Sequence, residues 1–296
     1  MPSKGLTDTH TLVAVSMGRP SGIKRKKEAA RELAQRKDSD VSRTKVSVDT
    51  FKELVKEITG NQNAALNLLK ENSLGWGDKG YRLVSNKILP KILKDLEAAK
   101  TTHDRVSREA SERLLLQVRR DAKGQAEGGL GDLFDASDYP SQEEFVSKCS
   151  FVVDLDTVPD ASQDVRAGFS PEHQERLRSA LSSQHASKVQ DAVRELNGRL
   201  ESTLRKLVDR MKEYDGGQKG SFRDSLMGNV RELAGLLDGM NITGDPAIEE
   251  ARIRMIRDLC TVEASDLRED EALRDRVATA ATDILTRVGN FGGKND

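Results

Sequence analysis

The chain has 296 residues, of which 33% are charged and 4% aromatic, with a formal net charge of -1. That composition suits amphipathic helices around a thin core better than a thick compact one. Its two cysteines, Cys149 and Cys260, cannot build a disulfide framework and read as reduced small hydrophobes, which points to a reducing compartment. No apolar signal opens Met1–Gly5 and no uncharged apolar run approaches bilayer length, so a cytoplasmic protein without membrane contact is expected.

The small net charge conceals a segregation. Arg19 to Lys45 carries ten Lys or Arg against four acids, and Glu127 to Asp164 carries ten acids against Lys148 alone. Two such blocks can meet each other, bind separate partners, or pair between protomers.

In chain order, Leu12–Met17 is a short β-like run that stops at Gly18, Pro20 and Gly22, and its best strand partner is Phe151–Leu155. Ile23 to Lys37 reads as a basic helix. Val48, Phe51, Leu54, Val55 and Ile58 form the stripe of another, capped by Ser47 or Asp49 and stopped by Gly60-Asn61, and Ala64, Ala65, Leu68 and Leu69 mark a further short one. A first long helix is predicted from Pro90 to Lys123. Its seam, Leu89, Ile92, Leu96, Ala99, His103, Val106 and Ala110, alternates 3 and 4 spacing as in a coiled coil, and at about 1.5 Å per residue the rod is roughly 50 Å long.

The irregular stretch that follows holds the acidic block, a capping box at Ser141 and Glu144, and a reversal where Asp160, Asp164 and Arg166 fix the chain by local bonds. Ser170-Pro171-Glu172 opens the second long helix toward Tyr214, with Gly216-Gly217 as its stop. Its seam, Val189, Val193, Leu196, Leu200, Leu204, Leu207 and Met211, lies nearer an 11-residue than a 7-residue repeat and predicts nearly straight packing. Helices over Phe222–Met240, Pro246–Cys260 and Glu269–Val288 follow, and no fixed-period repeat is present.

The predicted architecture is mainly α, an elongated helical bundle built on two long antiparallel helices, with a small two-stranded β element. Its segments are an N-terminal arm over 1–22 and a helical core over 23–215 with an acidic insert at 124–168. A C-terminal helical region over 216–288 and a disordered tail over 289–296 complete it.

Candidate sites are few. Gly75, Gly77 and Gly80 satisfy G-x-G-x-x-G, but neither the strand before nor the βαβ unit after that a dinucleotide site requires is predicted. The same loop carries Trp76, Tyr81 and Arg82, which either plug the end of the bundle or, if exposed, offer a partner an aromatic hot spot. Lys24, Arg25, Lys26, Lys27 and Arg31 are the best phosphate-binding set, but read first as a solvated face or one neutralised within the chain, with a protein-docking or membrane-facing surface as further readings. Asp132, Asp135 and Asp138 read as an acidic docking surface, since calcium-loop spacing is missing. His10, His103, His173 and His185 are too dispersed for a metal site, and His103, on the seam, specifies register. No serine or cysteine nucleophile pattern is present, so no catalytic residue and no cofactor are expected.

Several segments in order carry a resemblance: Leu12–Ser16 with the basic Gly22–Lys27, Gly77–Arg82, the long helix, Asp138-Tyr139-Pro140-Ser141, Phe151-Val152-Val153, Val158-Pro159, Asp164-Val165-Arg166 and the second long helix. Over Leu12 to Met211 this set resembles an uncharacterised domain family common in tailed bacteriophages. Members are encoded near MoxR-type AAA+ ATPases and von Willebrand factor A-type proteins. The resemblance implies an accessory or adaptor role beside such an ATPase; together with the missing catalytic motifs and the seams of the long helices, a non-enzymatic phage or prophage adaptor is expected, its partner such an ATPase or a second copy of the chain. A nucleic-acid-binding accessory protein of replication or recombination and a virion structural protein are the alternatives.

Overall fold

The computed structural model describes residues 5–77, 80–159, 170–214 and 224–289. The protein is mostly helical, with 69% helix and 10% strand. α1 (Leu6–Thr9) leads into β1 (His10–Met17), β2 (Ile23–Arg25), α2 (Lys27–Arg36), β3 (Ser47–Asp49) and α3 (Lys52–Glu71). β4 (Leu74–Gly75), β5 (Arg82–Ser85), α4 (Leu89–Asp121), α5 (Gln142–Lys148) and β6 (Phe151–Thr157) follow. The remainder is α6 (Pro171–Glu213), α7 (Asp224–Met240), α8 (Pro246–Arg254) with a π-helical continuation over Met255–Leu259, α9 (Ala264–Glu269) and α10 (Glu271–Gly289).

The chain forms two compact units, neither continuous in sequence. The first comprises Met1–Val13, Asn72–Pro90 and Leu155–Asp296, the second Ala14–Glu71 and Lys91–Asp154. These units cut across the expected segments, because the chain passes from one to the other inside β1 and inside β6. The two long helices, expected to pair, fall in different units: α6 lies in the first, and α4 beyond Pro90 in the second. Each is therefore built into a core of its own.

In the first unit α10 lies along α6. The i, i+4 row Ala192, Leu196, Leu200 and Leu204, continued by Leu207 and Met211, is buried with Val230 and Leu237 of α7, Ile248 of α8, and Val277, Ala281 and Ile284 of α10. Recurrence every three to four residues puts these side chains on one helical face, and their removal from water drives the packing. β5 pairs antiparallel with both β1 and β4, setting Leu83 opposite Leu12 and opposite Leu74. All three leucines are buried, so one row of side chains crosses three strands into the same core.

In the second unit Phe51, Val55 and Ile58 pack on Ala110 and Leu114 of α4 and on Phe145 of α5. Phe51 and Phe145 meet edge to face with centroids 5.6 Å apart, a favoured geometry for aromatic quadrupoles. α5 begins with the expected capping box between Ser141 and Glu144. The expected strand pair is present as the neighbours β1 and β6, within a four-stranded sheet of order β4-β5-β1-β6 and not as an isolated two-stranded element. Gly18 and Ser150 exchange both backbone hydrogen bonds beyond it, at 3.0 and 3.2 Å, as an antiparallel ladder requires.

Three local expectations change. Ile23–Arg25 is a strand, not the start of a helix: it pairs with Ser47–Asp49, and Lys26 N–H donates to Val46 O. Val48 accordingly belongs to β3, while Asp49 does cap α3 by accepting from Lys52 N–H. α3 runs unbroken through Gly60-Asn61, because Val55, Ile58, Gln62, Ala65 and Leu69 form one buried face that outweighs glycine's helix cost of about 1 kcal/mol. Residues 264–289 form two helices, α9 and α10, with Asp270 between them accepting from Leu273 N–H. Gly216-Gly217, the Asp160–Arg166 reversal and residues 290–296 of the expected tail lie outside the described residues.

Candidate functional site

Gly75, Gly77 and Gly80 lie between β4 and β5, which pair antiparallel, and the element that follows them directly is a strand and not a helix. Gly77 and Gly80 take φ of 71° and 77°, a left-handed backbone that glycine enters without strain. Two amides of this loop are already engaged. Gly75 N–H donates to Glu195 Oε2 at 2.7 Å, and Trp76 N–H donates to Tyr81 O at 3.0 Å. The glycines thus serve a hairpin and not a nucleotide cradle.

The aromatic loop is no exposed hot spot. Trp76 is buried, with His185 against its edge at 5.3 Å and Lys188 Nζ 5.9 Å from its ring centre. Tyr81 is half-buried. Arg82 turns inward, donating from Nε to Ser73 Oγ and from Nη2 to Ser73 O and Glu195 Oε1, at 2.7, 2.9 and 2.7 Å. Arg199 reaches the same carboxylate oxygen and, at 2.8 Å, the same Ser73 carbonyl. One carboxylate thus holds two guanidiniums and a strand amide. Burial raises the Glu195 pKa, but the bonds from Arg82 and the Gly75 amide overcome it, and the net shift is downward.

The charged candidates meet in the second unit. Lys24 and Arg25 lie on β2, Lys26 is the N-cap of α2, and Lys27 and Arg31 lie on α2. Asp132, Asp135 and Asp138 lie on short 3-10 turns. Lys26 Nζ donates to Asp138 Oδ2 at 2.5 Å, with both side chains more than four-fifths covered. Asp135 is held below the usual carboxylate range by the Ser137 hydroxyl and amide, with help from Lys26 and Lys24. Lys24, Phe51, Asp138, Tyr139, Glu144 and Lys148 line a cleft of about 340 Å³ at this meeting point. In its wall Tyr139 Oη donates to the buried Asp121 at 2.6 Å, and burial followed by that carboxylate pushes the phenol upward. Lys24, Arg25, Lys27 and Arg31 make no ion pair among the described residues.

His103 is fully buried and paired with Gln62, whose Oε1 accepts from Arg19 and whose Nε2 donates to Gly18 O. That orientation makes Gln62 Nε2 the donor to His103 Nε2 at 3.2 Å, so Nδ1 carries the ring proton toward Asp104 at 3.3 Å. A buried polar residue at a seam position selects one register. Among the described residues no group of three His, Cys, Asp or Glu side chains can hold a metal, and no helix is long and apolar enough to cross a membrane.

Glu195, Arg199, Ser73, Gln62 and the Tyr139–Asp121 pair escaped sequence reading. The Glu195–Arg199 and Gln117–Asp121 spacings of four were the local signals. Their other contacts join residues 9 to 126 positions apart. α6 itself is divided: its buried residues begin at Ala192, and from Pro171 to Asp191 none is buried, with Gln174, Leu177, Leu181 and His185 half-buried in a row. Compared with protein-family models, curated proteins and solved structures, the chain matches none.

Proposed function

We propose that this protein is a non-enzymatic adaptor that works by protein–protein contact, with the N-terminal half of α6 as its docking element. The observation that carries this reading is the division of α6. Residues after Asp191 supply the core, whereas Leu177 and Leu181 stand at helical spacing on a segment that contributes no buried residue. Such a segment suits lengthwise packing against a partner helix, the use first read from the long-helix patterning. Consistent with the bacteriophage resemblance, the favoured partner is a MoxR-type AAA+ ATPase encoded nearby or a second copy of this chain. On this reading the protein acts in the host cytoplasm, and the elongated antiparallel arrangement of long helices belongs to the assembled state.

The test is co-purification with neighbouring gene products, with mass measured by light scattering, for the wild type and for a Leu177→Asp/Leu181→Asp variant. The wild type is expected to capture a partner or self-associate, and the variant to lose at least tenfold in affinity while keeping its helical content. A monodisperse monomer that captures none of those products overturns the proposal.

The alternative, a nucleic-acid-binding accessory protein, is favoured by Lys24, Arg25, Lys27 and Arg31, which form no ion pair among the described residues. Phosphate contacts release counterions and produce a salt-dependent affinity. Reversing these four charges would then abolish binding to a labelled oligonucleotide and its salt slope. No measurable binding at about 50 mM salt rejects the alternative.

A further inference from the structure

Toward its C-terminal end α4 keeps its core on one side. Ala110, Leu114 and Asp121 are buried, whereas Leu115 and Leu116 are 55% and 64% exposed, the two most exposed large apolar side chains among the described residues. At about 3.6 residues per turn, the midpoint between these two leucines lies on the opposite side of the helix from Ala110, Leu114 and Asp121. Packing within the chain makes little use of them.

Two charges frame the leucines symmetrically. Glu112 stands three residues before Leu115 and Arg119 three residues after Leu116, and helical periodicity puts both on the same outer strip. Both are exposed, and neither makes an ion pair or a side-chain hydrogen bond among the described residues. They cannot pair with each other, because seven residues of helix separate them by about 10.5 Å. Arg105, Arg113 and Lys123, by contrast, pair with Glu109, Glu57 and Glu127 of the same chain.

We propose that this strip is a contact surface for a second copy of the chain, α4 packing antiparallel on α4 about a two-fold axis between Leu115 and Leu116. A two-fold contact uses the same patch on both copies, so a residue before the axis faces the residue equally far beyond it. Leu115 then meets Leu116 of the second copy and Glu112 meets Arg119 of the second copy, each contact made twice. Four leucines leave water at the centre, and two ion pairs fix the orientation. A parallel pairing would instead set Glu112 against Glu112 and Arg119 against Arg119. Further out, Arg108 lies across from Lys123 of the second copy, whose charge its own Glu127 offsets at 3.1 Å. One helix pair is a small interface, in the class below about 1,200 Å² that makes transient contacts, so the dimer is weak and concentration-dependent. The contact goes beyond the docking role of α6: it lies on another element and takes no other protein.

Sedimentation velocity of the whole chain from about 10 μM to about 1 mM tests this, with an expected reversible monomer–dimer equilibrium of Kd below about 1 mM. Glu112→Arg and Arg119→Glu each set like charges across both pairs, and each is expected to weaken the dimer at least about tenfold. An equimolar mixture of the two variants regains opposite charges at both pairs and returns to the wild-type level. Leu116→Asp weakens the dimer without relying on the charge pairs, and the α6 variant Leu177→Asp/Leu181→Asp leaves the response to all these substitutions unchanged. A monomer at every concentration, an association that neither charge reversal weakens, or a mixture that does not recover overturns the proposal. Should a charge variant not fold, Leu116→Asp decides: unchanged association refutes the two-fold contact.

Discussion

Replacing Glu195 by glutamine removes the negative charge that Arg82, Arg199 and the Gly75 amide share, and presents an NH2 group to a site that supplies only donors. The carboxylate is 28% exposed and its two guanidiniums 19% and 20%. These exposures lie between exposed pairs, at about 0–1 kcal/mol, and buried pairs whose breakage costs about 3–5 kcal/mol. A loss of roughly 2 kcal/mol follows. For a unit of this size that lowers the melting temperature by about 4–8 °C. Trp76, the only tryptophan in the chain, lies in the same unit, so its fluorescence on heating reports this loss directly. The pH dependence is the sharper test. The Glu195 pKa is lowered on folding, so its ionisation stabilises the protein above the ordinary glutamate value near 4.5 and ceases to do so as pH falls through the folded value. The gap between wild type and Glu195→Gln is therefore expected to be largest at pH 7 and to shrink below pH ~4. A gap under about 0.5 kcal/mol at pH 7, within the range of ordinary surface substitutions, refutes the assignment of Glu195 as the centre of the network.

Phe145→Ala, at a fully buried side chain of the second unit, is expected to cost about 3–5 kcal/mol, read by far-ultraviolet circular dichroism on chemical denaturation. Gly60→Ala has the opposite sign: a Cβ there meets nothing within 4 Å on an exposed helix position, so a gain of about 0.5–1 kcal/mol is expected in the same assay. In an alkaline titration followed near 295 nm, Tyr139 should contribute a step above the ordinary tyrosine value of about 10, because its phenol is pushed upward by burial and by Asp121. Tyr139→Phe should remove the late step alone.

Local signals predicted well wherever a short stretch controls its own backbone. The Ser141–Glu144 box, Ser170 ahead of Pro171, and Asp245 ahead of Pro246 all cap helices by accepting amide hydrogen bonds. The seams were legible for the same reason: Ile92, Leu96, His103 and Ala110 are buried on α4, and Leu196 through Met211 on α6. Reading failed where a distant partner decides. Gly60-Asn61 has every mark of a helix end, yet the face from Val55 to Leu69 carries α3 across it. Ile23–Arg25 continues a basic, helix-compatible run, yet Ser47–Asp49 captures it as a strand. The G-x-G-x-x-G spacing is compatible with a nucleotide loop or a hairpin, and a carboxylate 120 positions away, at Glu195, engages the amide.

The charge blocks make a similar argument with consequences for partners. Lys26 and Asp138 look like members of two opposed docking surfaces, but they are 112 positions apart and joined at 2.5 Å, largely shielded from water. Each thus removes one charge from any external surface and helps hold the acidic turns against the basic segment. What remains for a phosphate is the flanking set Lys24, Arg25, Lys27 and Arg31. These two roles separate experimentally. Lys26→Ala strips a covered charge from Asp138 and should lower the stability of the second unit by roughly 1–3 kcal/mol, as loss of a charged hydrogen bond does, with any oligonucleotide affinity changed little. Lys24→Ala should leave stability within about 0.5 kcal/mol and weaken any phosphate binding that exists. If the two substitutions act alike on stability, Lys26 is an ordinary solvated lysine, and the basic and acidic blocks are free to meet partners separately.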